Sequence, residues 1–257
     1  MRVTIFFLVL PLLTLLAVTS CSDSESGNAR IVVKLTDAPA DYQEVNVDIQ
    51  SVEVHESSSG WITLDNTNSG VYNLLELTDG ISAVLADAEL PAGRISQIRL
   101  VLGDNNSLKM GDQVHDLSTP SGQQSGLKVQ LNAELIAGIT YEVLLDFDAA
   151  RSVVEAGNSG KYNLKPVIRA VPEALDGAIS GVVLPLDANP VIYAIQGSDT
   201  ITSAYTQENG EFLLQGLEAG SYTVGVEPNA SYTEEILVDI QVDLGIIKDV
   251  GTIELVQ

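Results

Sequence analysis

Apolar residues that alternate with polar ones are the feature that most restricts how this chain can fold. Ile31, Val33 and Leu35 follow this spacing near the start, residues 141–147 in the middle and residues 236–242 near the end. Successive side chains of a β-strand point to opposite faces, so a period of two indicates strands with one buried face. Clusters of Gly, Ser, Asn and Asp between these runs are typical of hairpin turns. The sequence therefore predicts an all-β fold of antiparallel β-sandwiches.

Four local patterns qualify this prediction. The alternation changes phase at Gln50-Ser51, which is typical of a β-bulge. Residues 162–168 are predicted to form one strand, at a sheet edge or bulged, because Pro166 lacks a backbone donor. Residues 72–77 and 81–88 are expected to form short helices, the second from its Ala and Leu content.

Composition excludes two classes of partner. The 257 residues include 12 Lys or Arg and 35 Asp or Glu, which gives a net charge of −23. A nucleic acid needs clustered cations, so we expect no nucleic-acid binding. Anionic lipid headgroups would be repelled as well. Since 45% of the residues are apolar, the chain can bury a core, and disorder is not the main expectation.

The N-terminal residues have the composition of an export signal. Arg2 precedes an apolar stretch over residues 3–18, which is too short and too interrupted for a membrane helix and is typical of a signal peptide over residues 1–20. Val18-Thr19-Ser20-Cys21 resembles the lipobox of bacterial lipoproteins, which implies that Cys21 is the lipid attachment site and the mature N-terminus. The alternative is an ordinary signal peptide with an incidental free Cys.

The polar residues 21–28 are predicted to form a flexible tether. Acidic residues behind the Cys resemble the surface-export signal of Bacteroidetes lipoproteins. Together these features imply a lipid-anchored protein of the cell envelope, in the outer membrane and facing outward.

Two β domains are predicted after the tether, over residues 29–172 and 173–257, because the strand pattern breaks near residues 171–177. The second domain is strongly acidic. Lys248 is its only cation, against 13 Asp and Glu from residue 174 onward. Its short strands, at a spacing near ten residues, are typical of a small sandwich.

Both domains resemble known families. Residues 177–183 (Gly-Ala-Ile-Ser-Gly-Val-Val) and 207–224, with Asn-Gly-Glu-Phe and Leu-Glu-Ala-Gly-Ser-Tyr, are similar to the carboxypeptidase regulatory-like module, a transthyretin-like sandwich with a carbohydrate-binding-like fold. Residues 35–39 (Leu-Thr-Asp-Ala-Pro), 90–100 and 164–169 resemble a bacterial lipoprotein family known as domain of unknown function 4382. The second resemblance implies architecture and no reaction.

Residues that would support catalysis or metal binding are scarce. His55 and His115 are far apart, His55 on a predicted strand and His115 in a predicted polar loop, and both are interpreted as surface histidines. No nucleophile elbow, phosphate-binding loop or zinc spacing occurs. Residues 65–76 and 104–106 carry oxygen donors but are interpreted as solvated turns. We therefore expect no enzyme activity, no cofactor and no metal.

A sugar site would need an aromatic platform beside amides and carboxylates. Trp61, the only Trp, would stack on a pyranose if Tyr42 or Tyr72 lay near it; alternatively it plugs one end of the sandwich. Phe147 and Phe212 are predicted core residues. The cations of the first domain, among them Arg99 and Arg169, either pair with acids on adjacent strands or line an anion pocket.

These observations predict a non-enzymatic, lipid-anchored envelope protein that binds a glycan or a protein. The alternatives are a structural, pilus-like assembly subunit and an accessory subunit of a hydrolase or transporter. The sequence leaves the oligomeric state open.

The lipid anchor makes a direct prediction. Cys21→Ala removes the thiol that would carry the acyl chains, each of whose buried methylenes contributes about 0.8 kcal/mol to membrane binding. We expect the variant to move from the membrane to the soluble fraction on cell fractionation. Retention of the variant in the membrane would refute the anchor.

Overall fold

A computed structural model describes residues 27–119, 126–157 and 159–257. The predicted signal peptide, Cys21 and most of the predicted tether lie outside these residues. The described chain is all-β, as predicted, with strands in four sheets. Helical structure is limited to one α-helical turn, α1 (Ala149–Ser152), and two 3₁₀ turns (Leu74–Glu76 and Leu186–Ala188). No helix of the described part is long and apolar enough to cross a membrane.

The first domain contains thirteen of the described strands. They are β1 (Asn28–Asp37), β2 (Glu44–Glu56), β3 (Gly60–Thr63), β4 (Gly70–Asn73), β5 (Ala83–Pro91), β6 (Gly93–Leu102), β7 (Ser107–Met110), β8 (Gln113–Ser118), β9 (Leu127–Leu135), β10 (Thr140–Phe147), β11 (Val153–Glu155), β12 (Tyr162–Leu164) and β13 (Ile168–Ala174).

These strands form a small and a large sheet around one apolar core. The small sheet has the order β13-β10-β1-β5. The large sheet of nine strands has the order β11-β12-β8-β7-β2-β6-β9, and β3 and β4 also pair with β2. Phe147 is 1% exposed, so its prediction as a core residue is confirmed. The pairing is antiparallel except between β1 and β10 and between β8 and β12, which run parallel.

The thirteen-residue strand β2 carries the predicted irregularity. Its register with β6 shifts between Ile49 and Ser51, which confirms the bulge. Val52 and Val54 are fully buried, while Glu53 and His55 lie between them on the other face. The bulge therefore lets apolar residues on both sides of it reach the same core.

Both helix predictions were wrong. Residues 83–91 form β5, which pairs along the whole of β1, and Leu85 and Leu90 are buried against the core. Long-range pairing with β1 outweighs the helix propensity of Ala and Leu, which amounts to a few tenths of a kcal/mol per residue. Residues 70–73 form β4, and helix follows only as the 3₁₀ turn at Leu74–Glu76.

The single strand predicted over residues 162–168 is two strands in different sheets. β12 lies in the large sheet and β13 in the small sheet, and Pro166 lies in the connection between them. The second strand continues past Pro172 to Ala174, because β13 is an edge strand that pairs with β10 alone. The predicted break near residues 171–177 therefore falls partly on a strand, and the boundary after residue 172 lies inside β13.

Asp48, in the middle of β2, is buried and holds the loop after β6. Its carboxylate accepts hydrogen bonds from Asn105 N and Asn105 Nδ2 at 3.1 and 2.8 Å and from Gln50 Nε2 at 2.5 Å. The Asp48 backbone N–H donates to Asn106 Oδ1 at 2.9 Å. The amides at 105 and 106 thus satisfy a buried acid and order the turn, in line with their interpretation as turn residues.

The second domain contains the remaining strands. They are β14 (Gly177–Leu184), β15 (Val191–Gln196), β16 (Asp199–Tyr205), β17 (Glu211–Leu217), β18 (Gly220–Glu227), β19 (Glu235–Val242) and β20 (Ile247–Glu254). They form a three-stranded sheet, β17-β14-β20, and a four-stranded sheet, β16-β15-β18-β19. A separate core between the sheets includes Phe212, at 2% exposure, as predicted. The pattern had not indicated β16, whose alternation is mostly of polar residues.

The two domains meet directly, because only two residues separate β13 from β14. Within this connection, Asp176 Oδ1 accepts a hydrogen bond from Thr140 N at 2.8 Å. At Gly138, with φ of +80°, an added Cβ would lie 2.8 Å from Leu213 and from Gln215 of the second domain. The turn before β10 therefore contacts β17 too closely for any side chain.

Asp37, at the end of β1, is the other notable buried acid, at 6% exposure. Its Oδ1 accepts a hydrogen bond from Ala149 N at 2.9 Å, and its Oδ2 has no partner among the described residues. Burial raises the pKa of Asp37 to about 6, and the negative charges of Asp148 and Asp146 act in the same direction. The folded state therefore favours the protonated carboxyl.

A raised pKa contributes stability that is complete at acidic pH and is lost as the pH rises through about 6. We expect Asp37→Asn, which cannot ionise, to gain stability relative to the unmodified protein by about 2 kcal/mol between pH 4 and pH 7.5. Urea denaturation at both pH values measures this difference. Parallel stability curves for the two proteins would contradict the assignment.

Candidate functional site

The hairpin that presents Trp61 is fixed by one carboxylate. Glu56, the last residue of β2, accepts hydrogen bonds from Ser58 N at 2.9 Å, Ser58 Oγ at 2.6 Å and Ser59 N at 2.7 Å. The Ser58 and Ser59 donors lower the pKa of Glu56 to about 2. Gly60, with φ of +81°, then turns the chain into β3. Trp61 consequently lies directly opposite His55 of β2.

Two rows of polar side chains cross the large sheet from this point. Directly opposed residues on neighbouring strands share a face. The first row runs Trp61, His55, Gln97 and Gln130 over β3, β2, β6 and β9. The second row runs Thr63, Glu53, Arg99 and Lys128 over the same strands. These eight residues, called the Trp61 face below, lie on the side of the sheet opposite to the core.

Trp61 and Arg99 are the centre of this face. The Arg99 guanidinium lies 4.1 Å from the centre of the Trp61 ring, and Lys128 Nζ lies 5.7 Å from it. Both distances are within the range of a cation–π interaction. Arg99 Nε also donates to Glu53 Oε2 at 2.7 Å, which places the guanidinium beside a carboxylate of opposite charge.

Two further contacts hold the centre in place. His55 packs its ring edge against Trp61, with ring centroids 5.1 Å apart, and its Nδ1 lies 3.0 Å from Ser96 Oγ. Gly126 lies against the aliphatic part of Arg99, where an added Cβ would approach Cγ to 2.4 Å. The orientation of Trp61 and Arg99 is thus set by packing before any ligand binds.

The structure does not bring the three predicted sugar-contact residues together. Tyr72 is opposite Val47 on β2, eight residues from His55, which corresponds to about 27 Å along a strand. Tyr72 donates to the Asn68 carbonyl at 2.5 Å, and Tyr42 packs beside the core at the same end of β2. A single platform of Tyr42, Trp61 and Tyr72 is therefore not formed.

The histidines lie apart, as predicted, but His115 is not in a loop. It lies on β8, with its ring edge against Tyr162 at 5.0 Å between centroids. Among the described residues, no group of three or more His, Cys, Asp or Glu could hold a metal ion.

The predicted cross-strand ion pairs include two that the structure contains. Arg99 pairs with Glu53 in the large sheet, and Arg169 pairs with Asp146 in the small sheet. The sequence analysis missed Gln97, Lys128 and Gln130 as members of a site. Their signal was the shared phase of the polar positions on β6 and β9, which becomes informative only when the two strands are known to be neighbours.

A second concave region lies where the domains meet. It has a volume of about 460 Å³, with Phe212, Leu213 and Ile247 among its apolar residues and Glu211 and Asp249 among its polar ones. It contains no group that could serve as a nucleophile beside a base. The Trp61 face has the more specific arrangement of hydrogen-bonding groups.

Fold and site thus define a two-domain β protein with a preformed polar face on its larger domain. The chain belongs to the family described as domain of unknown function DUF4382, whose model matches residues 28–166, just over half of the sequence. No curated protein matches the chain.

Several solved structures are similar to parts of this chain. One is an interface mutant of a type II cohesin–X-dockerin complex from Acetivibrio cellulolyticus, at 23% identity over 31% of this chain and 56% of that one, with a TM-score of 0.27. Another is the minor pilin GBS52 of Streptococcus agalactiae, at 15% identity over 90% and 95%, with a TM-score of 0.23. A third is the fimbrial anchor protein Mfa2 of Porphyromonas gingivalis, at 11% identity over 81% and 83%, with a TM-score of 0.21.

This chain spans little more than half of the cohesin–dockerin structure, and TM-scores this low do not establish a shared fold. The comparisons therefore assign the family and leave its function open.

The only Trp reports directly on the centre of the site. Arg99→Ala removes the guanidinium that covers the Trp61 ring, so we expect stronger acrylamide quenching of its fluorescence and a loss of about 1 to 2 kcal/mol in unfolding free energy. Arg169→Ala is the matched control, because Arg169 also pairs with an acid but lies on the small sheet. Equal quenching in both variants would contradict the described contact.

Proposed function

We propose that this chain is a non-enzymatic, lipid-anchored protein of the cell envelope that binds a glycan through the Trp61 face. The observation that carries this proposal is the pair of aligned rows, in which an aromatic ring lies beside two amides, a hydroxyl and an Arg–Glu pair. Sugars offer hydroxyl groups that both donate and accept, and apolar ring faces. Amides and paired charged groups match the first property, and Trp matches the second.

Charge favours a neutral glycan over an acidic one. Glu53 neutralises Arg99 locally, so Lys128 alone adds positive charge to the two rows. The whole chain carries −23, which repels a polyanion at long range. A neutral polysaccharide meets no such barrier and loses no hydrogen-bonding partner on the face.

The rest of the chain fits a protein held at a membrane. The lipobox-like sequence at Cys21 supports attachment by acyl chains, and the polar residues after it support a tether. We further propose that the second domain is a carboxypeptidase regulatory-like module. In this proposal the module extends the protein from the membrane and presents its larger domain at the cell surface.

A glycan array probed with the fragment 29–257 tests the proposal. We expect saturable binding to a neutral glycan, reduced about tenfold or more by Trp61→Ala and by Gln130→Ala, because each removes a group of the face. Tyr72→Phe is the matched control, since Tyr72 lies at the far end of β2. Absence of any glycan binding would refute the binding role, and saturable hydrolysis of a bound glycan would refute the non-enzymatic role.

A further inference from the structure

The second domain exposes apolar side chains on the outward face of its four-stranded sheet. Val191, Tyr193 and Ile195 of β15 lie half-buried on this face, and Tyr205 of β16 is 76% exposed opposite Val191. Glu227, opposite Val191 on β18, accepts a hydrogen bond from the Tyr193 hydroxyl at 3.1 Å. Contiguous apolar surface of this kind marks an interaction site more often than a solvent-exposed one.

The apolar character is strongest at the sheet edge. Ile236 and Val238 of β19 are 61% and 63% exposed, although β19 pairs with β18 alone. Edge strands normally carry Lys or Pro that hinder the addition of another strand. β19 contains neither, and its one irregularity is a bulge at Asp239, where φ is +58°.

The two sides of β19 differ in chemistry. Ile236 is opposite Gly225 on the outward side, whereas Glu235 is opposite the buried Val226 and therefore lies on the other side. A strand added beside β19 would place alternate residues next to Ile236 and Val238 and the residues between them next to Glu235. The edge thus fits a segment in which aliphatic residues alternate with cations.

Charge and area decide against a second copy of this chain. From residue 174 onward the chain has 13 Asp and Glu against Lys248 alone, so two such domains repel each other. The β19 edge and its neighbouring strands offer roughly 300 Å² of surface, from the spacing of strands and residues. A stable dimer needs roughly 800 Å² from each partner. A single extended segment needs less area and gains main-chain hydrogen bonds.

We propose that β19 is a docking edge for an extended segment of another protein in which aliphatic residues alternate with Lys or Arg. The segment continues the four-stranded sheet by antiparallel or parallel pairing. Its aliphatic side chains cover Ile236 and Val238, and its cations face the acidic side of the edge at Glu235. This site is separate from the Trp61 face, which lies on the first domain.

Hydrogen exchange measured on the full chain in neutral detergent tests the proposal, with a capped octapeptide of alternating Val and Lys as the probe. We expect saturable slowing of amide exchange within Glu235–Val242 and no slowing within β16, the opposite edge of the same sheet. An octapeptide of alternating Val and Glu should give at least tenfold weaker protection, since its charges repel those of the edge.

Matched variants separate edge docking from general adhesion. Ile236→Lys with Val238→Lys should abolish the protection, because both positions are exposed and the change leaves the core intact. Tyr205→Lys, an exposed apolar residue on the opposite edge, should leave it unchanged. Three results would overturn the proposal: no protection of β19 by either peptide, equal protection by both, or protection of β19 by the chain itself at increasing concentration.

Discussion

The register of β2 is the constraint on which the larger domain depends. Four other strands pair with it, so its alternation fixes which side chains of its neighbours reach the core. Val52 and Val54 point inward, and Glu53 and His55 point outward. A slip of one residue would bury two polar groups and expose two apolar ones. The pattern that builds the core therefore also aligns the Trp61 face.

The sequence predicted those parts of the fold that local pattern determines. Period two in β2, β10 and β19, the bulge after Ile49 and the burial of Phe147 and Phe212 all follow from residues close together in the chain. The helix expected over residues 81–88 failed because pairing with β1, more than fifty residues away, decides its conformation. The break at Pro166 gave no sign that its two sides enter different sheets.

The candidate site was predictable only in part for the same reason. Trp61 stood out as the only Trp, and Arg99 as one of few cations, but neither pattern showed that they touch. Gln97 and Gln130 join them through pairings between β2, β6 and β9. Tyr42 and Tyr72, chosen for their ring chemistry, lie at the other end of β2. Residue type identified the chemistry of the site, and strand order decided its membership.

Charge connects the separate parts of this account. A net charge of −23 keeps both domains solvated and disfavours polyanions, so the proposed ligand of the Trp61 face is neutral and the proposed partner of β19 is cationic. Membrane attachment in this account depends on the acyl chains of Cys21, because a surface so acidic gives anionic lipids no attraction.

A fluorescence titration of Trp61 tests the central claim most directly, since this ring lies in the middle of the proposed glycan site. Neutral polysaccharides, such as a soluble β-glucan and a xylan, should change its emission in a saturable manner, and polygalacturonate should not. Emission unchanged by every neutral polymer, or changed more by the polyanion, would contradict the assignment of the Trp61 face as a neutral-glycan site.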